Sequence, residues 1–327
     1  MLTVQRLSIT HKKDLRPLIQ DLSFTLAGPQ RLAVIGEEGN GKSALLKAIV
    51  CPEQLQAWAD VQGTISCAGE RIGYLEQESP SEWNDRPAYS ICIENEAFSN
   101  TEPGELSEYC RVLSMDTDLC WTDTPFGLLS GGEKVRLRML LLLCRKATML
   151  LLDEPGNDLD LDAIQALEKF LIACKLPVMY VSHDEQLLTA TATQVLHLES
   201  LHGRAEPKWT WMKEPYALYV ENRRNQLDRQ ESLWKADQRE KRIQAEKLQR
   251  IENAVEHAQA TISRQDPHGG RLLKKKIRRS KVWSIGMNGK RKTLWNVPMK
   301  NIPCSRFSRT AIRSHRGNGY SICIWMN

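Results

Sequence analysis

Residues 31–43 read RLAVIGEEGNGKS, and residues 44–50, ALLKAIV, follow without a break. Residues 31–35 form a short apolar run of strand type, residues 36–43 match the pattern GxxxxGK[ST], and the run after them has helical character. Glycines at 36, 39 and 41 let a backbone wrap tightly enough for its N–H groups to face inward and meet phosphate oxygens. The helix that begins here presents its positive end to the same anion. In such an arrangement Lys42 reaches the outer phosphates and the Ser43 hydroxyl oxygen suits Mg²⁺. The candidate phosphate-binding set is therefore Gly36, Gly39, Asn40, Gly41, Lys42 and Ser43. The plain alternative is a chance glycine turn, and the strand before it and helix after it weigh against that.

Outward from this stretch, the first 200 residues alternate short apolar strands with helical stretches, the pattern of an α/β sheet. Strands are expected at 2–9, 31–35, 71–75, 149–152, 177–181 and 194–198, and helices at 42–50, 131–144, 161–173 and 185–190. TMLLLDEP, residues 148–155, places Asp153 and Glu154 at the carboxyl end of a buried strand. Asp153 suits a Mg²⁺ role, and Glu154 suits a base that orients or deprotonates an attacking water. The competing reading makes the pair a cap for the helix at 161–173. LLSGGEKVRLRMLLLL, residues 128–143, sets Ser130, Gly131 and Gly132 at the start of a helix, a second anion-facing helix end. YVSHD places His183 just past the 177–181 strand. A lone histidine there is ordinarily structural, and the order of elements raises its standing.

In order, Gly36–Ser43, Gln77, Leu129–Glu133, Asp153–Glu154, Asn157–Asp160 and His183 resemble the motif set of an ATP-binding cassette ATPase over about residues 1–203. The resemblance implies an α/β P-loop NTPase cassette with a helical subdomain, binding ATP and Mg²⁺. It implies that Ser43, Gln77 and Asp153 serve the metal, that Glu154, His183 and Gln77 serve hydrolysis, and that His183 contacts the γ-phosphate. It also implies a second cassette as partner. Ser130, Gly131 and Gly132 would touch ATP held by that partner, and Asp160 would lie at the contact between cassettes. No aromatic residue precedes Phe24 to stack on a base, and His11 is the nearest ring, so GTP as well as ATP fits. Gly156, Asp158 and Ala44 depart from the usual residues.

Three details resemble the ABC-F group of ribosome-acting translation factors and antibiotic-resistance protection proteins. They are Glu133 after SGG, the run DEPGNDLD, and EPYALYVENR leading into a long charged helix. Tyr216, Tyr219 and Arg223 fit the start of that group's interdomain linker. From Tyr216 to about residue 264 there is no Gly or Pro, and Ile243, Leu248, Ile251, Val255, Ala258 and Ile262 recur at helical spacing. This narrow seam is expected to pack on a second helix, and without one to invite association or proteolysis. The generic alternative is a solvated coiled coil. The competing function is the ATP-binding subunit of an ABC transporter, for which residues 78–128 offer no clear coupling surface.

The expected organisation is a cassette at 1–203, a charged helical linker at 204–265 and a basic tail without regular structure at 266–327. The 327 residues are 41% apolar and 26% charged, which excludes global disorder. No apolar run approaches the roughly 20 residues a membrane helix requires. Nine scattered cysteines lack any CxxC pair and read as reduced thiols of a cytoplasmic protein. The net charge of +5 is split, because residues 267–327 carry 15 Lys and Arg and no acid. Past about residue 277 helical periodicity is also lost. The favoured expectation is out-of-frame translation of a gene with a second cassette, which would make this product a single-cassette truncation. The alternative is a basic nucleic-acid-binding tail with scattered aromatics. Sequencing the coding DNA decides. Another frame beyond codon 276 should encode an acidic helix and a second GxxxxGK[ST], and its absence overturns the frameshift reading.

Overall fold

The computed structural model describes residues 1–67, 69–157, 159–201 and 206–261. The basic tail, the last residues of the expected linker and Asp158 lie outside them. The elements in order are strands β1 (Leu2–His11), β2 (Pro17–Leu26) and β3 (Arg31–Gly36), helices α1 (Lys42–Val50) and α2 (Pro52–Gln56), then β4 (Ala59–Ser66) and β5 (Ile72–Leu75). Helices α3 (Ala88–Glu94), α4 (Glu96–Ser99), α5 (Pro103–Val112) and α6 (Gly131–Cys144) come next. The chain continues through β6 (Met149–Asp153), α7 (Leu161–Ala173), β7 (Val178–Val181), α8 (Glu185–Thr191), β8 (Gln194–Leu201), β9 (Glu206–Met212) and α9 (Tyr216–Thr261).

The strands form two sheets. One is antiparallel, in the order β2-β1-β4; the other runs β5-β6-β7-β3-β8-β9, parallel except for β9. The central strands are apolar throughout because both of their faces are covered. Ala33, Leu150, Leu152, Val178 and Tyr180 face a core shared with α3, α5, α6, α7 and α8. Leu32, Val34, Met149, Leu151, Met179 and Val181 face a second core shared with α1 and the antiparallel sheet.

Each strand and helix expected from periodicity forms, with ends moved by at most three residues. The elements that pattern reading passes over are β2, β4, β9 and α2–α5. β4 exposes most of its length, so it shows no alternation. β1 and β2 carry register shifts that break theirs, with Arg6 and Asp21 at φ 49° and 52°. The helices α2–α5 span four to ten residues, too short to show a period.

α9 runs 46 residues, about 70 Å at 1.5 Å per residue. Leu233, Trp234, Ile243 and Ile251 along it are exposed. Of the expected seam, Val255, Ala258 and Ile262 fall outside the described side chains. The root of the helix is anchored. Tyr219 is buried, its hydroxyl 2.7 Å from His197 Nδ1 on β8, and Tyr216 stacks on it with ring centres 6.0 Å apart. The Arg223 guanidinium donates to the Glu199 carboxylate, whose Oε1 lies 3.7 Å from His197. No described helix is long and apolar enough to cross a membrane.

Burial pushes the His197 imidazole down to about 4; Glu199 opposes this, and Arg223 and Lys42 reinforce it. Between an unfolded value near 6.5 and that folded value, the unfolded chain takes a proton that the native ring refuses. Stability from this residue is present at neutral pH and lost as the pH falls through the window. Between pH 7 and pH 5 the parent should lose about 2 kcal/mol more than His197→Asn in denaturant titrations. Equal losses in the two proteins would refute the assignment.

Candidate functional site

The parallel strands end at one edge, where the fold collects its polar groups. β3 delivers residues 36–43, β6 delivers Asp153 and Glu154, and β7 delivers His183. The registers Asp153↔Val181 and Val181↔Val34 hold these strand ends level. Such an edge is where ligands bind in open α/β sheets.

The phosphate loop is built against β8. Gly36 pairs with Leu198, and a Cβ at Gly36, whose φ is +151°, would fall 2.3 Å from the Leu198 carbonyl oxygen. Asn40 is buried; its Nδ2 donates to that same carbonyl at 3.0 Å, and its Oδ1 accepts from the Ser200 hydroxyl at 3.0 Å. The Asn40 side chain is thus committed to holding the loop, and its main-chain N–H donates to the Glu37 carbonyl at 3.3 Å. The Lys42 ammonium donates to the carbonyls of Gly36 at 2.8 Å and Glu37 at 3.0 Å. Burial pulls its pKa down, against the attraction of Glu154, Asp153, Glu38 and Glu37. A poorly solvated cation beside main-chain amide groups favours an anion of high charge.

Asp153 is 3% exposed, and burial raises its pKa. The nearby Ser43 hydroxyl lowers the value, while Glu154 adds to the rise. Its Oδ1 has no hydrogen-bond partner among the described residues. An orphaned buried carboxylate oxygen beside a serine hydroxyl is the donor chemistry of a hard cation. The described residues hold no group of three or more His, Cys, Asp or Glu able to cage a metal. Mg²⁺ fits that sparse set, because it keeps water and substrate oxygens in its shell.

Glu154 sits at φ +49°, a left-handed conformation that costs a non-glycine residue about 1–3 kcal/mol. The turn holds it there through the Glu154 N–H donating to the Val181 carbonyl at 3.1 Å and the Asn157 N–H donating to the Glu154 carbonyl at 3.1 Å. Its Oε2 accepts from Asn157 Nδ2 at 2.6 Å, and its Oε1 lies 3.6 Å from His183 Nε2. The carboxylate is mostly buried and the imidazole about half exposed. Neither Asp153 nor Glu154 caps α7; Asp160 does, its Oδ1 accepting from Ala163 N–H at 2.8 Å.

Gln77 is exposed two residues beyond β5, whose last pairing with β6, Leu75↔Leu152, comes two residues before Glu154. Ser130, Gly131 and Gly132 form a separate centre at the start of α6. There Ser130 and Glu133 close a capping box, with Ser130 N–H and hydroxyl to Glu133 Oε2 at 2.8 and 2.7 Å. A Cβ at Gly132 would lie 2.7 Å from Ala163 Cβ, so glycine there lets α6 pack on α7. His11 is engaged elsewhere, 2.7 Å from Asp14 and with its ring centre 5.7 Å from Trp58.

Sequence reading missed three contributors. Asn157 lay inside a quoted motif but had no role assigned. Arg16 donates from Nη2 to the Gly39 carbonyl at 2.8 Å, and its Nε is buried without a hydrogen-bond partner among the described residues. Arg138 reaches the Gln77 loop from α6. No periodicity marks a lone arginine; only its place beside a glycine loop or on a helix after SGG could have drawn notice.

Gly36→Ala sets a methyl on the Leu198 carbonyl. The variant should lose about 1–3 kcal/mol in denaturant titrations, with weakened nucleotide uptake in equilibrium dialysis. Unchanged stability together with unchanged uptake would show that the loop does not depend on this approach.

Residues 19–157 match the family model described as ABC transporter. Among curated proteins, the chain is 34% identical over 218 residues to YdiF of Bacillus subtilis, covering 62% of this chain and 30% of that one. It is 31% identical over 216 residues to the energy-dependent translational throttle protein EttA of Mycobacterium tuberculosis, covering 65% and 38%. It is 34% identical over 196 residues to EttA of Escherichia coli K12, covering 58% and 34%. The chain spans about a third of the length of these relatives. Among solved structures it superposes on a metal-chelate type ABC transporter in an inward-facing conformation, with TM-score 0.51, 22% identity and coverage of 64% and 82%. It also superposes on a bacterial Atm1-family ABC exporter with ATP bound, with TM-score 0.50, 20% identity and coverage of 60% and 36%. The fold is that of an ABC ATP-binding cassette.

Proposed function

We propose that this chain is an ATP-binding and ATP-hydrolysing cassette of the ABC-F type, acting in the cytoplasm on the ribosome, as a translation factor or in antibiotic resistance by ribosome protection. The observation that carries the catalytic part is the convergence of the Lys42 loop, Asp153 and the Glu154–His183 pair on one strand edge. The main-chain amides of the 36–43 loop and Lys42 bind and orient the triphosphate. Ser43, Asp153 and Gln77 would hold Mg²⁺, which neutralises charge on the β- and γ-phosphate oxygens when bound. Glu154, aimed by Asn157, orients a water and takes its proton as the water oxygen attacks the γ-phosphorus. The bond from that phosphorus to the bridging oxygen breaks, leaving ADP and phosphate. His183, beside Glu154, meets the γ-phosphate. Ser130–Gly132 belong to the site of a partner cassette, so turnover depends on pairing with a second copy or another cassette protein.

Two features support the ribosomal part. A charged helix of 46 residues leaves the cassette through an anchored Tyr216–Tyr219–Arg223 root, and EttA, a translational throttle protein by name, is among the relatives. The family model's description as a transporter favours the second reading, an ATP-binding transporter subunit. Nothing in such a subunit requires a helix of this length after the last strand.

Glu154→Gln should keep Mg²⁺-dependent ATP binding and lose turnover by at least about 100-fold. Turnover of the parent should rise with protein concentration, and the variant should co-sediment with ribosomes in ATP. No Mg²⁺-dependent uptake of any nucleoside triphosphate would overturn the whole reading. Concentration-independent turnover would overturn pairing. An ATP-loaded variant that stays in the ribosome-free fraction would overturn the ribosomal role.

A further inference from the structure

Gln77 lies on an exposed segment after β5, yet the peptide that carries it is gripped on both sides. Arg138, two turns along α6 from Ser130, extends its guanidinium to this segment. Its Nη2 donates to the Glu76 carbonyl at 2.7 Å and to the Glu78 carbonyl at 3.1 Å. These are the carbonyls of the residues on either side of Gln77. Holding both ends of this short stretch restricts the backbone torsions of Gln77 and Glu78 between them, and so the range over which the Gln77 side chain can move. The guanidinium is partly buried, and that burial lowers its pKa, with Glu76 and Tyr74 acting in the opposite direction. A desolvated cation makes its strongest hydrogen bonds to such carbonyls and is poorly replaced by water.

We propose that Arg138 is a positioning residue for the metal side of the nucleotide site, holding the segment that carries Gln77 at the end of β5, beside the β6 strand that delivers Asp153, so that its side-chain amide can serve Mg²⁺. The inference rests on the nucleotide reading above and deepens it. Arg138 touches neither substrate nor metal and acts through Gln77. It also makes α6 the common support of two features, because the helix that begins with Ser130–Gly132 is the one that holds Gln77.

The test uses the full chain, a fluorescent ATP analogue and a magnesium titration, with Arg138→Gln, Arg138→Lys, Gln77→Ala and the Arg138→Gln/Gln77→Ala pair. Analogue binding in EDTA should stay within about twofold of the parent for every variant, because the phosphate loop is untouched. The magnesium concentration for half-maximal enhancement of binding should rise about tenfold in Arg138→Gln, the usual loss when a group supporting a metal ligand is removed. Arg138→Lys should restore part of it, since an ammonium reaches one carbonyl but not both. On the Gln77→Ala background, Arg138→Gln should add less than about twofold, the signature of two residues acting as one unit. A magnesium response unchanged in Arg138→Gln, or a full additive loss on the Gln77→Ala background, overturns the proposal. A parent that binds no analogue with or without magnesium instead overturns the nucleotide reading, and this inference with it. Should Arg138→Gln unfold, Arg138→Lys carries the same comparison with Gln77→Ala.

Discussion

The carbonyl oxygen of Leu198 occupies the place where a side chain at Gly36 would begin. The phosphate loop can leave β3 and turn back only because residue 36 has no Cβ, and the same oxygen accepts the Asn40 amide that closes the loop. One strand, β8, is therefore the mould in which the loop is cast. Its other residues serve a different purpose. Leu198 O and Ser200 hold Asn40, while His197 and Glu199, alternate positions on the strand, hold Tyr219 and Arg223 at the root of α9. The two-residue period of a strand lets one element hold a phosphate cradle and a long helix at once.

The charges at the site are held away from the states they prefer in water. Lys42 and Asp153 are both buried, and burial moves the first down and the second up. Each is partly compensated by the other and by Ser43 or the neighbouring carboxylates. A folded chain holds such an arrangement when the surrounding packing fixes it, and here the two cores close on either face of β3, β6 and β7. The left-handed turn at Glu154 belongs to the same economy, since its N–H donating to the Val181 carbonyl and its carbonyl accepting from the Asn157 N–H hold a conformation the isolated residue disfavours. Polar groups fixed in advance do not have to reorganise when charge develops beside them.

The helical layer is tied to this edge by close contacts rather than by area alone. Gly132 brings α6 against Ala163 of α7, and α7 follows the turn that carries Glu154. The short helices α3–α5 bury Ile91, Cys92, Phe98 and Cys110 in the core that also receives Leu137 and Leu140 of α6. Burial holds the Cys110 thiol up at about 12, so it stays protonated and packs as a small apolar group.

The chain's own letters determined the parallel strands, the phosphate loop, the strand-end carboxylates and the long charged helix. Each rests on a local signal: an apolar run, a glycine pattern, or a stretch without breakers. They did not determine β2, β4 and β9, whose half-exposed faces and bulges erase the alternation, nor the short helices that pack only as a group. Tertiary structure alone decided that Asn157 aims Glu154, that Asn40 turns inward to β8, that Asp160 rather than Asp153 caps α7, and that Arg138 grips the loop of Gln77. These are contacts between residues up to 160 positions apart, or choices among several nearby acceptors. A spacing rule describes what one stretch of backbone can do, whereas which side chain meets which is settled only when sheets and helices close on a shared core.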